Sequence, residues 1–367
     1  MHVPEFAPPV SSGRAFVDAM PCVRGLAYAF STHSCHHIHK TTMTHPLFEA
    51  IEAKNLAGFR DLLNAELAKP DGVSLVESLR DGGDSLATRI AQRGHVPMMK
   101  LLADARCGLG APESRHMAPL HFAAERGDQR MVAFLLKNAH LGIHIDAPST
   151  LGETAAHLAA ENGHVEILSS LQQHGAKMNL RDQKGNLPAH FAARGGRSAV
   201  IDFLNLGASP SLVAHNNLRD TPAHMVNAER GAEVIARLAF YKGLGAVTAE
   251  NSDGNHPLHL AAISGDDKVV EALLKAGVAP DTPSRDGATA WIAAKQEGHQ
   301  DVLLVLARHG VVGPPVLASG PVEKAQYQVL LEAAGASRVA GPAARQQGPV
   351  ALKAPIDEKA SHAPPIL

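Results

Sequence analysis

Short apolar patterns recur along this chain in pairs. In "TAAHLAAENGHVEILSSLQQHGA", residues 154–176, one pattern precedes Gly163-His164 and another follows it. In the second, Val165, Ile167, Leu168 and Leu171 fall at helical spacings and form one apolar stripe. The first, Thr154 to Asn162, reads as a thin helix of Ala, Leu and His. Thr154 suits its entry, where a hydroxyl accepts from an orphan N–H. Pro222 and Pro257 occupy the next position in sister copies, and a first turn tolerates proline. The pairs Ala159-Ala160, Ala192-Ala193 and Ala261-Ala262 leave room for a close neighbour. One such pair of helices is too short to persist alone in water. Stacked pairs bury each other's faces.

The pattern is periodic. Copies start at Ser85, Ala118, Thr154, Leu187, Thr221, His256 and Thr289, spaced by 33, 36, 33, 34, 35 and 33 residues, with a weaker copy near His45. Gly163, Gly265 and Gly298 separate the two helices of a copy, and Gly175, Gly277 and Gly310 end the second. Between copies a tight turn is expected. Ser149, Asp182, Asn216, Asn251 and Ser284 stand five positions before the starts, and Gly152, Gly185, Gly254 and Gly287 stand two before. Arg219 takes that glycine's place in the fifth copy, which predicts an altered turn there, and Gly231 falls one place late. Residues 58–84 read as a longer, irregular connection. "NAHLGIHIDAPST" carries about three extra residues and predicts a larger loop.

The period, the openings such as "HPLHLAA", the central Gly-His and the turn glycines resemble the ankyrin-repeat family over residues 44–312. His45, Leu187 and His256 depart from the usual opening Thr, and Thr88 from the usual His. The resemblance implies an all-α solenoid of stacked helix-turn-helix units with β-turn tips, flanked by disordered ends. Its expected parts are a low-order extension (1–42), a degenerate repeat or N-terminal cap (43–84), about seven repeats (85–312), a capping helix (313–340) and a disordered tail (341–367). The stripe Val322, Ala325, Val329, Leu330 and Ala333 supports the capping helix, and 8 of the 24 prolines fall in 311–367.

Composition narrows the function. Apolar residues make up 45% and aromatics 4%, so small side chains do the packing. A net charge of −2 provides no field for nucleic acid or anionic lipid, and neither is expected as a partner. Cys22, Cys35 and Cys107 do not form a disulfide framework and fit a reducing compartment. No apolar run reaches the ~18 residues of a membrane span. "GRAFVDAMPCVRGLAYAF" lacks the order of a secretory signal, and the first 42 residues read as a disordered address or an untranslated extension. The expected location is cytoplasmic, or a host cell if the protein is an effector.

Of the 22 histidines, His121, His157, His190, His224 and His259 occupy the fourth position of their copies. The resemblance implies that these rings tie adjacent units together. "HSCHHIHK" gathers His33, Cys35, His36, His37 and His39, ligand types for zinc or copper, without the matching pair of a structural site. No cofactor is expected. No P-loop Lys-Ser/Thr and no G-x-S-x-G elbow occurs, which points away from an enzyme. The resemblance implies protein binding on a concave face. Candidate contacts are Arg115, Glu153, Lys184, Asn186, Asp220, Asp253, Asn255 and Arg285 on the tips, and Glu125, Arg126, Glu161, Asn162 and Arg194 on the inner helices. The competing reading makes each an ordinary solvated residue. The leading expectation is a monomeric, non-enzymatic scaffold for a partner protein, in a narrower form a bacterial effector acting on host proteins. The alternative is a metal-responsive adaptor loading metal at 33–39.

Overall fold

A computed structural model describes residues 44–110, 117–206, 210–226 and 230–311. The helices come in pairs, as the period requires. α1 (Pro46–Glu52) and α2 (Leu56–Leu67) make the first pair, followed by α3 (Gly72–Ser78). Then come α4 (Leu86–Arg93) with α5 (Val96–Asp104), α6 (Pro119–Arg126) with α7 (Gln129–Lys137), and α8 (Ala155–Asn162) with α9 (Val165–Gln173). α10 (Pro188–Arg194) pairs with α11 (Ser198–Leu206), and a 3-10 turn (Pro222–Met225) with α12 (Gly231–Lys242). α13 (Pro257–Ser264) with α14 (Asp267–Lys275), and α15 (Ala290–Glu297) with α16 (Gln300–Arg308), complete the series. First helices pack on first helices and second on second, giving a two-layered, all-α solenoid. Among the described residues the β contribution is one isolated bridge, Asp81 to Asp84.

The core runs between the layers. Ala155, Ala156, Ala159 and Ala160 of α8 are each no more than 2% exposed, as small side chains allow where α8 touches both α6 and α10. Ile167, Leu168 and Leu171 are buried along α9. Each such side chain contributes roughly 1.5–3 kcal/mol by leaving water. Gly163 ends α8 at φ 85°, where a side chain would be strained, and its N–H returns to Ala159 O and Ala160 O. Cys107 is 2% exposed, and burial pushes its thiol up to about 11, leaving it unreactive.

The five fourth-position histidines hold the units together. The N–H of the cap residue (Ala118, Thr154, Leu187, Thr221 or His256) donates to Nδ1 three residues on, at 3.0–3.2 Å. An N–H can only donate, so Nδ1 carries no proton. Nε2 then carries it and donates to a carbonyl of the next tip: Glu153, Asn186, Asp220, Asn255 or Ala288, at 3.0–3.2 Å. Each ring thus caps its own helix and binds the following repeat, and the neutral tautomer is fixed by its partners. Thr88 stands in this place in α4, and Ile292, which has no donor, in α15.

Four sequence expectations are corrected. Residues 58–84 are largely helical, since α2 and α3 lie there. The fifth copy opens with a 3-10 turn rather than a helix. Val226 and Asn227 replace the alanine pair, and both are poorer helix formers. The Thr154 hydroxyl does not cap the backbone. It lies 3.0 Å from His157 Nδ1, which leaves it donating to the ring. The tip at Arg219 is not altered. Asn216 N–H bonds Asp220 O at 2.9 Å and Arg219 N–H bonds Asn216 O at 3.0 Å, as the corresponding groups of the Ser149 tip do. Arg219 adopts φ 60°, doing what glycine does in its sisters. The expected loop at 138–150 contains a 3-10 turn, Ala139–Leu141. The N-terminal extension, the capping helix and the disordered tail lie outside the described residues.

Two outcomes test this architecture. Burial holds the His190 imidazole down to about 4, with its bond to Asp220 O opposing. Burial lowers His121, His157, His224 and His259 too. A depressed pKa means the neutral ring stabilises the fold above about 6.5, and the gain disappears as pH falls toward 4. Glu125, Glu153 and Asp266 are raised and act in the opposite sense, Asp266 near pH 6. A variant difference isolates the imidazole. The His190→Ala penalty should be largest at pH 7 and shrink by up to about 3 kcal/mol between pH 6.5 and 4 in urea titrations. A pH-independent penalty would remove the ring's titration from the stability of the stack. Leu168→Ala should cost about 2–5 kcal/mol, and hydrogen exchange should place the loss in α8–α11. Uniform loss from α4 to α16 would instead mean one cooperative block.

Candidate functional site

Two further ladders of hydrogen bonds link successive repeats. On the inner face, the carbonyl of the eighth residue of a copy accepts from the next copy. Gln92 O accepts from Arg126 Nη1 at 2.6 Å and Glu125 O from His164 Nε2 at 3.2 Å. Glu161 O accepts from Arg197 Nε at 2.9 Å and Ile263 O from His299 Nε2 at 2.9 Å. These bonds satisfy carbonyls near the ends of the first helices, which have no partner within the helix. Arg197 fills the place that His164 and His299 fill elsewhere.

The tips form the other ladder. Gln183 N–H donates to Leu151 O at 2.9 Å, Asn217 N–H to Lys184 O at 3.0 Å, and Ser252 N–H to Leu218 O at 2.9 Å. Side chains reinforce it: Gln183 Nε2 to Thr150 O at 2.7 Å, Asn217 Nδ2 to Gln183 O at 3.0 Å and Arg285 Nη1 to Ser252 O at 2.7 Å. Beneath them a side-chain chain crosses three tips. Asn186 Nδ2 reaches Asp182 at 2.9 Å, Asn216 Nδ2 reaches Asn186 Oδ1 at 2.9 Å, and Asn251 Nδ2 reaches Asp220 Oδ1 at 2.9 Å. At some tips the next turn crowds the glycine position. A Cβ on Gly152, at φ 80°, would lie 2.8 Å from Gln183 N.

The candidate contacts separate on this frame. Lys184, Asp253 and Arg285 are exposed at the tips. Arg285 also lies 3.6 Å from Glu250. Glu153 and Asn255 are half-buried, and each gives its carbonyl to a histidine. Asn186 is 2% exposed, with its amide, N–H and carbonyl all bonded, so it belongs to the fold. Asp220 is likewise occupied by Asn251 and His190 and does not stand clear at its tip. On the inner face Arg194 lies 3.0 Å from Glu161 and 4.3 Å over the Phe191 ring. Asn162 Nδ2 bonds Leu158 O, closing α8. Arg126 and Glu125 are exposed. Surrounding protein and the neighbouring Glu161 raise the Glu125 carboxyl. Glu153 is raised by burial, which the positive charge of Arg194 opposes. Arg115 lies outside the described residues. The surface contains features the candidate set omitted: Leu151 at 56% exposure, Leu218 at 59%, and the Arg219 side chain. A leucine at a turn tip was legible in the sequence, and its exposure was not.

Among the described residues, no group of three or more His, Cys, Asp or Glu could hold a metal ion, and no helix is long and apolar enough to cross a membrane. The His33–His39 segment lies outside those residues.

Comparison with known proteins agrees with the geometry. A model described as "Ankyrin repeats (3 copies)" matches residues 140–213 and 224–314, and one described as "Ankyrin repeat" matches 115–148. Together they cover just over half of the 367 residues, and the chain belongs to the ankyrin-repeat family. Similar proteins include the Caenorhabditis elegans transient receptor potential cation channel subfamily A member 1 homolog, 30% identical over 185 residues. That match covers 50% of this chain and 15% of the relative. A probable E3 ubiquitin-protein ligase XBOS32 of Oryza sativa subsp. japonica is 28% identical over 163 residues, 44% of this chain and 31% of its own length. Inversin of Canis lupus familiaris is 27% identical over 166 residues, 44% and 15% respectively. The shared stretch spans less than a third of each relative.

The left-handed Arg219 makes a direct prediction. An L residue pays about 1–2 kcal/mol there, partly offset because glycine gains freedom when unfolded. Arg219→Gly should therefore raise stability by up to about 1 kcal/mol in urea titrations. A clear loss would show that the guanidinium supports the fold.

Proposed function

We propose that the protein is a monomeric, non-enzymatic scaffold that binds a partner protein across the inner helices and tips of its ankyrin stack. One observation carries the reading. Glu125, Lys184, Asp253 and Arg285 stand exposed beside backbone that inter-repeat bonds hold at the tips and at the end of α6. Preorganised side chains bind without a large ordering cost. Arg126, Glu153, Glu161, Asn162, Arg194, Asn255 and Arg115 complete the proposed contacts, with Asn186 and Asp220 supporting the tips from beneath. Mixed signs suit a protein better than a polyanion. The narrower reading as a bacterial effector acting on host proteins is supported by composition and by the habits of the family.

The test is a hydrogen-exchange footprint of the chain with a partner recovered from its native host. Binding should protect the tips and the ends of α6, α8 and α10 while leaving α7, α9 and α11 unchanged. Protection confined to α7, α9 and α11 would put the interface on the convex side and end this reading.

A further inference from the structure

We propose that the crown formed by Leu151, Lys184, Leu218 and Arg219 receives a partner segment that carries a carboxylate beside a bulky apolar side chain. The inference rests on the reading of the tips as a protein-binding face and names the chemistry they select.

Arg219 is the starting point. It holds φ 60° where the tips at Gly152, Gly185, Gly254 and Gly287 use glycine. The strain obtains no visible return within the fold. The Arg219 backbone bonds Asn216 O and His215 Nδ1 as any residue's would, but its exposed guanidinium has no hydrogen bond or ion pair among the described residues. A strained residue that the fold does not require directs attention to what its side chain meets outside. Guanidinium suits a carboxylate, which it can grip with two parallel N–H bonds.

Its neighbours supply the rest. Leu218 precedes it and is 59% exposed, and Leu151, two tips away, is 56% exposed. Their carbonyls accept from Ser252 and Gln183, so the tip ladder fixes both positions. Lys184 stands on the tip between them, exposed. Two cations thus alternate with two apolar side chains. On the same tips the carboxylates of Asp182 and Asp220 accept from Asn186 and Asn251. They limit the positive field, which favours a single acidic side chain over a phosphate polymer. Farther along, Asp253 and Asp286 are exposed and would repel a polyanion lying along the row.

The probe is a phage-displayed random peptide library selected on the full chain. Enriched peptides are synthesised and measured by fluorescence anisotropy. They should share Asp or Glu near Leu, Ile or Phe. Arg219→Gly and Leu218→Asn should each weaken binding by about tenfold or more. Arg219→Gly places glycine where glycine suits the backbone, so its loss of binding would not be a folding defect. Arg219→Glu should recover affinity for a peptide whose acid is replaced by Lys. No enrichment, no acidic-apolar pattern, or unchanged binding to Arg219→Gly overturns the proposal, as does competition by an oligothymidine strand. Peptides insensitive to Arg219 and Leu218 but lost with Glu161→Ala and Arg194→Ala would overturn it while leaving the scaffold reading intact.

Discussion

A single imidazole with two opposite hydrogen-bonding roles underlies the stack. Its unprotonated Nδ1 accepts the N–H that opens one helix, and its Nε2–H donates to a carbonyl of the next tip. The ring thereby couples a local need, satisfying a helix N-terminus, to a non-local one, fixing the neighbouring repeat. Buried N–H and C=O groups require partners, so neither contact is optional once the units have closed on each other. Small residues make the geometry possible. The alanine pairs let first helices approach until the ring reaches across, and the tip glycines let the turns touch.

That closeness has a functional consequence. Because three ladders consume backbone and framework side chains, the surface left over is a short set of residues held at fixed intervals. Repeats behave as a quasi-one-dimensional array, so surface residues can vary without disturbing the stacking that carries them. The fifth copy illustrates this. It has a 3-10 turn in place of a first helix and an arginine in place of a glycine, yet its histidine still reaches Asn255 O and its tip still bonds both neighbours.

Arg219 also shows that a framework position can tolerate a second residue type. Glycine there is the least strained choice, and four sister tips have it. The inter-repeat bonds over-determine the turn enough to hold an arginine in the same conformation. Asn186 shows the reverse. It sits among variable tip positions in the sequence, but its side chain is drawn into the chain of bonds from Asp182 to Asn216.

By itself the sequence determined the repeat, the glycines that end many of its helices and the family of the fold. These depend on local causes that recur at a fixed period: apolar spacing, glycine where φ must be positive, and a histidine at one place in five copies. Tertiary structure decided which polar residues reach the surface. Asn186, Asp220 and Lys184 look alike in a list of tip residues, and only the approach of the neighbouring repeat buries the first, occupies the second and leaves the third at the surface. The helical course of residues 58–84 depends on packing rather than on the repeat pattern. So does the retention of a glycine-like turn at Arg219. Neighbour contacts 30 or more residues away supply those constraints, as with Asn216 to Asn186 and Asn251 to Asp220, and no local pattern encodes them.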